Sequence, residues 1–325
     1  MATMKDVAQA AGVSLITVSR VINSPEIVSE PTRLKVEQAM EALDFMPNFA
    51  AKALAQNNTR TIYLYIPQNI GISDPFNMHL IAGVAEELSN ANYLFLVKRD
   101  LEFNHRCDGV IVMGLDLSEE NAFTAKKIKV PFVLFGKNDL DIDCVDVDNE
   151  AGAVMMTDKI VANGHKRIGF IMRDTSQRYA LERLEGYKKA LEKNNIPFDE
   201  KLVRYAENSE QEGYTNAYDL MTREKPTAVF CCVDLLAIGA FRAAEKLKLK
   251  IPRDISIAGF DGLIFDLIPK VPLTTIRQPV YETGRALAAR LLERLKNPDL
   301  PYEKKYLEPE MKWRKSVGPN RHQTG

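Results

Sequence analysis

Cysteine, tryptophan and histidine are scarce in this chain of 325 residues, which has four cysteines, one tryptophan and four histidines. Cys107, Cys144, Cys231 and Cys232 form no Cys-x-x-Cys pair, and His79, His105, His165 and His322 stand at no metal-ligand spacing. Zinc sites and disulfide scaffolds are thereby disfavoured, and reduced thiols in a cytosolic protein are expected. No run approaches the roughly 20 apolar residues of a membrane span. The polar, helix-patterned N-terminus is unlike a secretory leader. The formal net charge is −1, so neither a globally basic nucleic-acid coat nor an acidic disordered chain is indicated. Enzyme signatures are missing too. No GxGxxG follows the first strand-like run, and neither GxxxxGK[ST] nor GxSxG occurs. The histidines offer no Ser/His/Asp order. The expectation is a soluble cytoplasmic protein with no metal, no cofactor and no enzymatic activity.

The composition that remains is ordinary for a globular protein, 46% apolar and 27% charged, and the length suits two or three domains. Two dissimilar parts are visible. Residues 1–46 read as three short helices. Thr3 with Asp6 forms a capping pattern, and Met4, Val7, Ala8 and Ala11 make a helical stripe. Gly12 suits a sharp turn, and Ser14 caps a helix from Leu15 to about Ile22. Ser29 is expected to cap a third helix, with Pro31 in its first turn and its end near Leu43. Helix, tight turn, helix is the unit that lays its second helix in a DNA major groove. The second helix is apolar nearly all round, with Leu15, Ile16, Val18, Val21 and Ile22 and a single arginine, Arg20. One apolar stripe can pack on a neighbour; the other residues need a second partner.

From Thr61 the pattern changes. Short β-branched runs (TIYLYIP, GVIVMG, PFVLFG, RIGFIM, TAVFCC, ISIAGF) alternate with amphipathic stretches at Phe76–Asn90, Glu150–Asn163, Tyr179–Asn194 and Asp234–Leu249. That alternation predicts an α/β fold of βαβ units with parallel sheets. The runs are too many for one sheet of usual size, so two lobes are expected. Ligands of such sheets bind beyond the carboxyl ends of the strands, where Asp74, Phe76, Lys137, Arg173, Asp234 and Asp261 stand. Between the parts, PNFAAKALAQNNTRT is alanine-rich and ends in a polar linker. An isolated helix so short is marginal in water and forms when something holds it.

MKDVAQAAGVSLITVSRVIN, VSEPTRLKVEQAMEALDFMPN and AAKALA, followed in order by DPF, VDVDNEAGA, NGHKRIGFI, RLEGYKKAL, PTAVFCCVDLLAIGA, IPRDISIAGFD and PLTTIRQPVYETGRALAARLL, resemble the lactose-repressor (LacI/GalR) family of bacterial transcription regulators over nearly the whole chain. The resemblance implies a helix-turn-helix headpiece (1–46), a hinge helix and linker (47–60) and a two-lobed core like that of periplasmic sugar-binding proteins. Its first lobe would comprise 61–162 and 280–305, and its second 163–279 and 306–325. It further implies a homodimer on palindromic double-stranded operator DNA, with affinity set by a small sugar or sugar phosphate. Some family members instead use a phosphorylated carrier protein as corepressor, and that alternative stays open. No leucine-heptad tail follows Val317, which favours a dimer over a tetramer.

Carried over position by position, the resemblance assigns DNA contacts to Thr3, Ser14, Leu15, Ile16, Thr17, Ser19, Arg20 and Asn23 in the headpiece, and to Asn48, Ala51 and Leu54 in the hinge. Arginine can grip a guanine edge bidentately, and an aliphatic side chain can meet the thymine methyl. Leu54 matches the leucine that wedges into the minor groove, which kinks the duplex. Within 1–60, Lys5, Arg20, Arg33, Lys35, Lys52 and Arg60 are balanced by Asp6, Glu26, Glu30, Glu37, Glu41 and Asp44. Hydroxyls, amides and helix N-termini must then share the phosphate contacts, and a single headpiece should bind weakly. The effector set is Phe76, Lys137, Arg183, Asp234, Asp261 and Gln278. Taken singly, Arg183 could be a solvated helix charge and Asp261 a cap. Two departures stand out. Val233 occupies a position that is commonly polar in the family, and the connection Lys98–Asp108 barely has room for the helix expected there, whose loss would leave one sheet face of the first lobe less covered.

Overall fold

The computed structural model describes residues 2–23, 25–46, 58–68, 70–100, 106–115, 130–173, 177–263 and 270–321. They fall into two compact units, Met1–Thr59 and Arg60–Gly325.

In the first unit, α1 (Met4–Ala11), α2 (Leu15–Asn23) and α3 (Glu30–Ala42) surround a small core of Val7, Ala8, Val18, Val21, Val36 and Ala39. The capping box is formed: the Thr3 amide donates to Asp6 Oδ2 at 2.7 Å and the Asp6 amide to Thr3 Oγ1 at 3.4 Å. Gly12 ends α1 at φ +64°, a left-handed conformation that glycine adopts readily because it has no Cβ. The Thr17 amide donates to Ser14 Oγ at 3.1 Å, so Ser14 caps α2 as expected. Ser29 does not act as a cap. Its hydroxyl bonds that of Thr32 at 2.9 Å and makes no side-chain bond to the helix backbone.

The second unit holds two six-stranded sheets. The strands are β1 (Thr61–Tyr65), β2 (Leu94–Lys98), β3 (Gly109–Met113), β4 (Phe132–Phe135), β5 (Cys144–Val147), β6 (Ile168–Arg173), β7 (Val203–Ala206), β8 (Ala228–Cys231), β9 (Ser256–Asp261), β10 (Thr274–Arg277), β11 (Lys304–Leu307) and β12 (Glu310–Lys312). The first sheet runs β11-β5-β4-β3-β1-β2 with every pair parallel. The second runs β12-β10-β9-β8-β6-β7, parallel except for β12 against β10. The helices are α4 (Pro75–Asn90), α5 (Asn149–Ala162), α6 (Arg178–Lys193), α7 (Glu210–Arg223), α8 (Asp234–Lys246) and α9 (Val280–Lys296). Each sheet has its own core: Ile62, Leu64, Leu80, Val84, Leu287 and Leu291 lie in one, and Met156, Phe170, Tyr187, Leu220, Phe230 and Phe260 in the other. On the first sheet α4 and α9 pack backbone to backbone. A Cβ on Gly83 would sit 2.1 Å from the Tyr281 carbonyl oxygen, and one on Gly284 would sit 2.2 Å from that of Leu80.

The lobes divide differently from the sequence expectation in two places. Helix α5, placed with the first lobe, packs on α6, and its Ala153, Met156 and Ile160 join the core of the second. The chain has already crossed between sheets when β5 ends, because a helix that follows one strand can cover the sheet ahead of it. Tyr306 and Leu307, placed with the second lobe, belong to β11 and pair with Asp146 and Val147 of the first sheet.

Between β2 and β3 the described residues carry no helix. In register Thr61 faces Leu94 and Tyr63 faces Leu96. Leu94 is 70% exposed and Leu96 53% exposed on this edge strand. Among the described residues no helix is long and apolar enough to cross a membrane.

Candidate functional site

A cavity of about 360 Å³ opens beyond the carboxyl ends of both sets of strands. From the first lobe come Asp74, Phe76 and Asn77 at the start of α4, Phe135 and Lys137 after β4, and Asp146 in β5. The Asp74 carboxylate accepts from the Phe76 amide at 2.9 Å and so caps α4. Asn77 donates its side-chain amide to the Gly71 carbonyl at 2.7 Å, which ties the preceding loop to the helix. The Phe76 and Phe135 rings lie 5.6 Å apart and form an apolar wall. Asp146 accepts from the amides of Lys137 at 2.9 Å and Val147 at 2.7 Å. Burial, with the Glu182 charge adding to it, pushes its carboxyl up to about 7.

The second lobe supplies Asn149, Arg173, Tyr179, Arg183, Asn208, Val233, Asp261 and Gln278. Arg183 is 2% exposed, so it is not a solvated helix charge. Its Nε donates to Asn149 Oδ1 at 3.0 Å, and its Nη1 donates to the Cys232 carbonyl at 2.5 Å and to Asp261 Oδ1 at 3.4 Å. Its guanidinium lies over the Phe260 ring at 3.6 Å and the Tyr179 ring at 4.8 Å. A cation stacked on aromatic faces is held in one orientation. Gln278 donates to Asp261 Oδ1 at 2.6 Å. Burial raises the Asp261 carboxyl above its ordinary range, the Arg183 charge works against that rise, and Asp234 adds to it. Arg173 donates to the Tyr179 hydroxyl at 2.8 Å. Among the described residues, two ion pairs join the lobes at this cavity, Lys137 with Glu182 at 3.8 Å and Arg178 with Asp139 at 3.1 Å.

Of the expected effector residues, Phe76, Lys137, Arg183, Asp261 and Gln278 line this one cavity, and Val233 supplies the apolar rim its side chain suggested. Asp234 does not line it. Its carboxylate is fully buried behind the wall, where it accepts from the Thr275 hydroxyl at 2.6 Å and the Gly262 amide at 2.8 Å. The start of α8 directs it inward among strands β9 and β10, so it is not an effector contact. Sequence reasoning missed Asp146, Asn149, Tyr179 and Asn208. Asn208 Oδ1 is buried and has no hydrogen-bond partner among the described residues. Asp146 and Asn149 sit inside the motif VDVDNEAGA, but nothing in their spacing tells which side chains point into the cleft.

In the first unit, Val18 and Val21 are buried on α2 while Leu15, Ile16 and Arg20 are exposed, with Ile16 at 64%, and Ser19 is half-buried. The two apolar faces of the helix thus part as the pattern requires: one feeds the core and the other is exposed. Thr3 and Ser14 serve as caps, Thr17 bonds Ser14 through its hydroxyl at 2.8 Å, and Asn23 is the last residue of α2. Asn48, Ala51 and Leu54 lie outside the described residues, as does the rest of segment 47–57.

A helix-turn-helix unit with an exposed face on its second helix, followed along the chain by a two-lobed α/β core with a polar cavity at the strand ends, is the organisation of a DNA-binding transcriptional regulator. The comparisons with known proteins agree. Residues 3–48 match the model of bacterial regulatory proteins of the lacI family, and residues 157–317 match the periplasmic binding protein-like domain. An uncharacterised HTH-type transcriptional regulator of Bacillus subtilis strain 168, YvdE, is 36% identical over 98% of this chain and all of its own length. Among solved structures, the Lac repressor dimer bound to operator and the anti-inducer ONPF superposes with a TM-score of 0.82 at 27% identity, covering 98% of this chain and 99% of that one. A complex of the transcriptional regulator CelR with cellobiose gives a TM-score of 0.74 at 27% identity, over 97% and 100% of the two chains. The chain belongs to the LacI family. It is a DNA-binding transcriptional repressor of that type with a sugar-binding-type core, and its relatives are regulators, not enzymes.

Proposed function

We propose that the chain acts as a homodimer on a palindromic operator in the cytoplasm, with α2 reading bases through Leu15, Ile16 and Arg20, and that a small sugar in the cavity sets its DNA affinity. Thr3, Ser14, Thr17, Ser19 and Asn23, with Asn48, Ala51 and Leu54 of the hinge, complete the proposed DNA contacts. The observation that carries the effector reading is the buried cluster of Arg183, Asp261 and Gln278, which faces the Phe76 and Phe135 rings in one cavity. A sugar has hydroxyls that both donate and accept, and faces of C–H groups that suit aromatic rings. The cations at the cavity already have negative charge near them: Arg183 meets Asp261, Lys137 meets Glu182, Arg178 meets Asp139, and Arg173, which donates to the Tyr179 hydroxyl, has the Asp74 charge acting on it. That balance suits a neutral sugar better than a phosphorylated one. The CelR complex with cellobiose supports a sugar in a core of this shape.

The dimer reading is supported by Leu94, Leu96 and Val97, apolar side chains left exposed on the edge strand β2. The deciding experiment is a pair of titrations. Sugars and sugar phosphates are first screened by thermal shift on the wild type; the ligand found is then titrated against Asp261→Asn by calorimetry, and operator affinity is measured by anisotropy with and without it. Asp261→Asn loses a charge-assisted acceptor. It should cost sugar affinity, leave operator affinity intact and abolish the response. A full response in both Asp261→Asn and Arg183→Ala would place the effector elsewhere and favour a phosphorylated protein corepressor.

A further inference from the structure

Asp234 touches no part of the cavity, yet it meets the Asp261–Gly262 corner from both of its own ends. Its backbone amide donates to Asp261 Oδ2 at 3.4 Å, and its carboxylate Oδ2 accepts from the Gly262 amide at 2.8 Å. That corner is unusual. Asp261 has φ +131°, a left-handed backbone that residues with a side chain rarely adopt, and it persists only where the surroundings impose it. Gly262 follows at φ +72°, so close beneath β10 that a Cβ would lie 2.6 Å from Arg277 Cα. The Gln278 amide donates to the Asp261 carbonyl at 3.0 Å and closes the other side. Space for the clamp is built in: a Cβ on Gly259 would fall 2.2 Å from Asp234 Oδ1. Asp234 opens α8, but its side chain reaches away to β9 and β10, bonding Gly262 and the Thr275 hydroxyl.

We infer that Asp234 is a positioning residue. By gripping the Gly262 amide it imposes the left-handed turn at Asp261, and that turn presents the Asp261 carboxylate to Arg183, Gln278 and the effector. The inference rests on reading the cavity as the effector pocket. The charged and titratable groups around Asp234 are Arg183 from α6, Cys231 from β8, Asp261 from β9 and Arg314 from the C-terminal segment. Burial pushes the Asp234 carboxyl upward, while the Thr275 hydroxyl and the Gly262 amide work against that rise.

The test follows the Gly262 amide and the Arg183 Nε–H by NMR in the perdeuterated full chain. Asparagine offers a single, uncharged acceptor oxygen to the two donors, Gly262 and Thr275, so Gly262 amide exchange should speed by roughly tenfold or more in Asp234→Asn, and the Arg183 Nε–H signal should shift. Thr275→Val removes only the strand-anchoring bond and should leave both signals as in the wild type. In the wild type, which needs no variant to fold, the Gly262 amide should move together with the Asp234 side-chain carbon as pH falls. A Gly262 amide equally protected in Asp234→Asn, or unmoved while Asp234 titrates, overturns the inference. Equal changes in Thr275→Val and Asp234→Asn also overturn it, since Asp234 would then merely tie strands together. Failure of the pocket reading looks different: a full sugar response in both Asp261→Asn and Arg183→Ala removes the effector site and leaves the Gly262 result standing.

Discussion

Arg20 and Arg183 show how little a residue type says without its surroundings. Arg20 is exposed on a helix whose opposite side is core, and Arg183 is buried between two aromatic rings. Replacing Arg20 by alanine should leave the melting curve of the core unchanged. Losing a bidentate base contact should cost operator binding about 1–3 kcal/mol per half-site, read by fluorescence anisotropy. Changes at Leu15 or Ile16 should alter which operator is preferred. Asp146 predicts a pH effect. The unfolded chain releases its proton near the ordinary value of 3.8, whereas the folded chain keeps it until about 7. The folded state therefore holds more protons between those values, and the contribution of Asp146 to stability is full below about 4 and is lost as pH rises to about 7. Asp146→Asn should flatten the slope of melting temperature against pH across that window in differential scanning fluorimetry.

Helices and strands with strong periodicity were readable in advance. The amphipathic stretches expected at Phe76–Asn90 and Tyr179–Asn194 appear as helices Pro75–Asn90 and Arg178–Lys193, and the six apolar runs are all strands. Edge strands such as β7 and β12 were not readable, because a strand of three or four residues, partly exposed, has too few apolar positions to stand out from a loop. Nor could the sequence show how closely helices approach. The α4–α9 contact is made at Gly83 and Gly284, where each backbone meets the other without a side chain between them. Gly284→Ala should force these helices apart and destabilise the core by about 1–3 kcal/mol, measured by urea unfolding, because overpacking strains both partners. Ser29 carries the same lesson at smaller range. It stands before a helix as Ser14 does, yet bonds a neighbouring hydroxyl instead of a backbone amide.

The whole molecule is proposed to work by coupling. A sugar held by both lobes favours one arrangement of them only to the extent that it binds that arrangement better. Typical couplings of about 1–3 kcal/mol would change operator affinity roughly 5–150-fold. Two assembly predictions go with this. Leu96→Asp places a charge on an exposed apolar strand edge and should turn the proposed dimer into a monomer in light scattering, with operator affinity falling in step. Leu54→Ala should weaken operator binding and reduce DNA bending in a gel-mobility bend assay, as expected of a leucine wedge.

The linear pattern of residues was enough to settle the two-part organisation, the capped helix-turn-helix and the alternating strands and helices, because period, caps and turn residues are local and act over a few neighbours. It was enough for the family as well, through motifs that recur in order along the chain. The tertiary structure alone decided which side chains meet. It moved Asp234 behind the cavity wall, brought Asp146 and Asn149 into the cavity, and assigned α5 to the second lobe. Arg183 and Asp261 are separated by most of the second lobe in sequence and by 3.4 Å in space. Such contacts arise when packed sheets bring distant strand ends to one cleft, and no local rule carries that information.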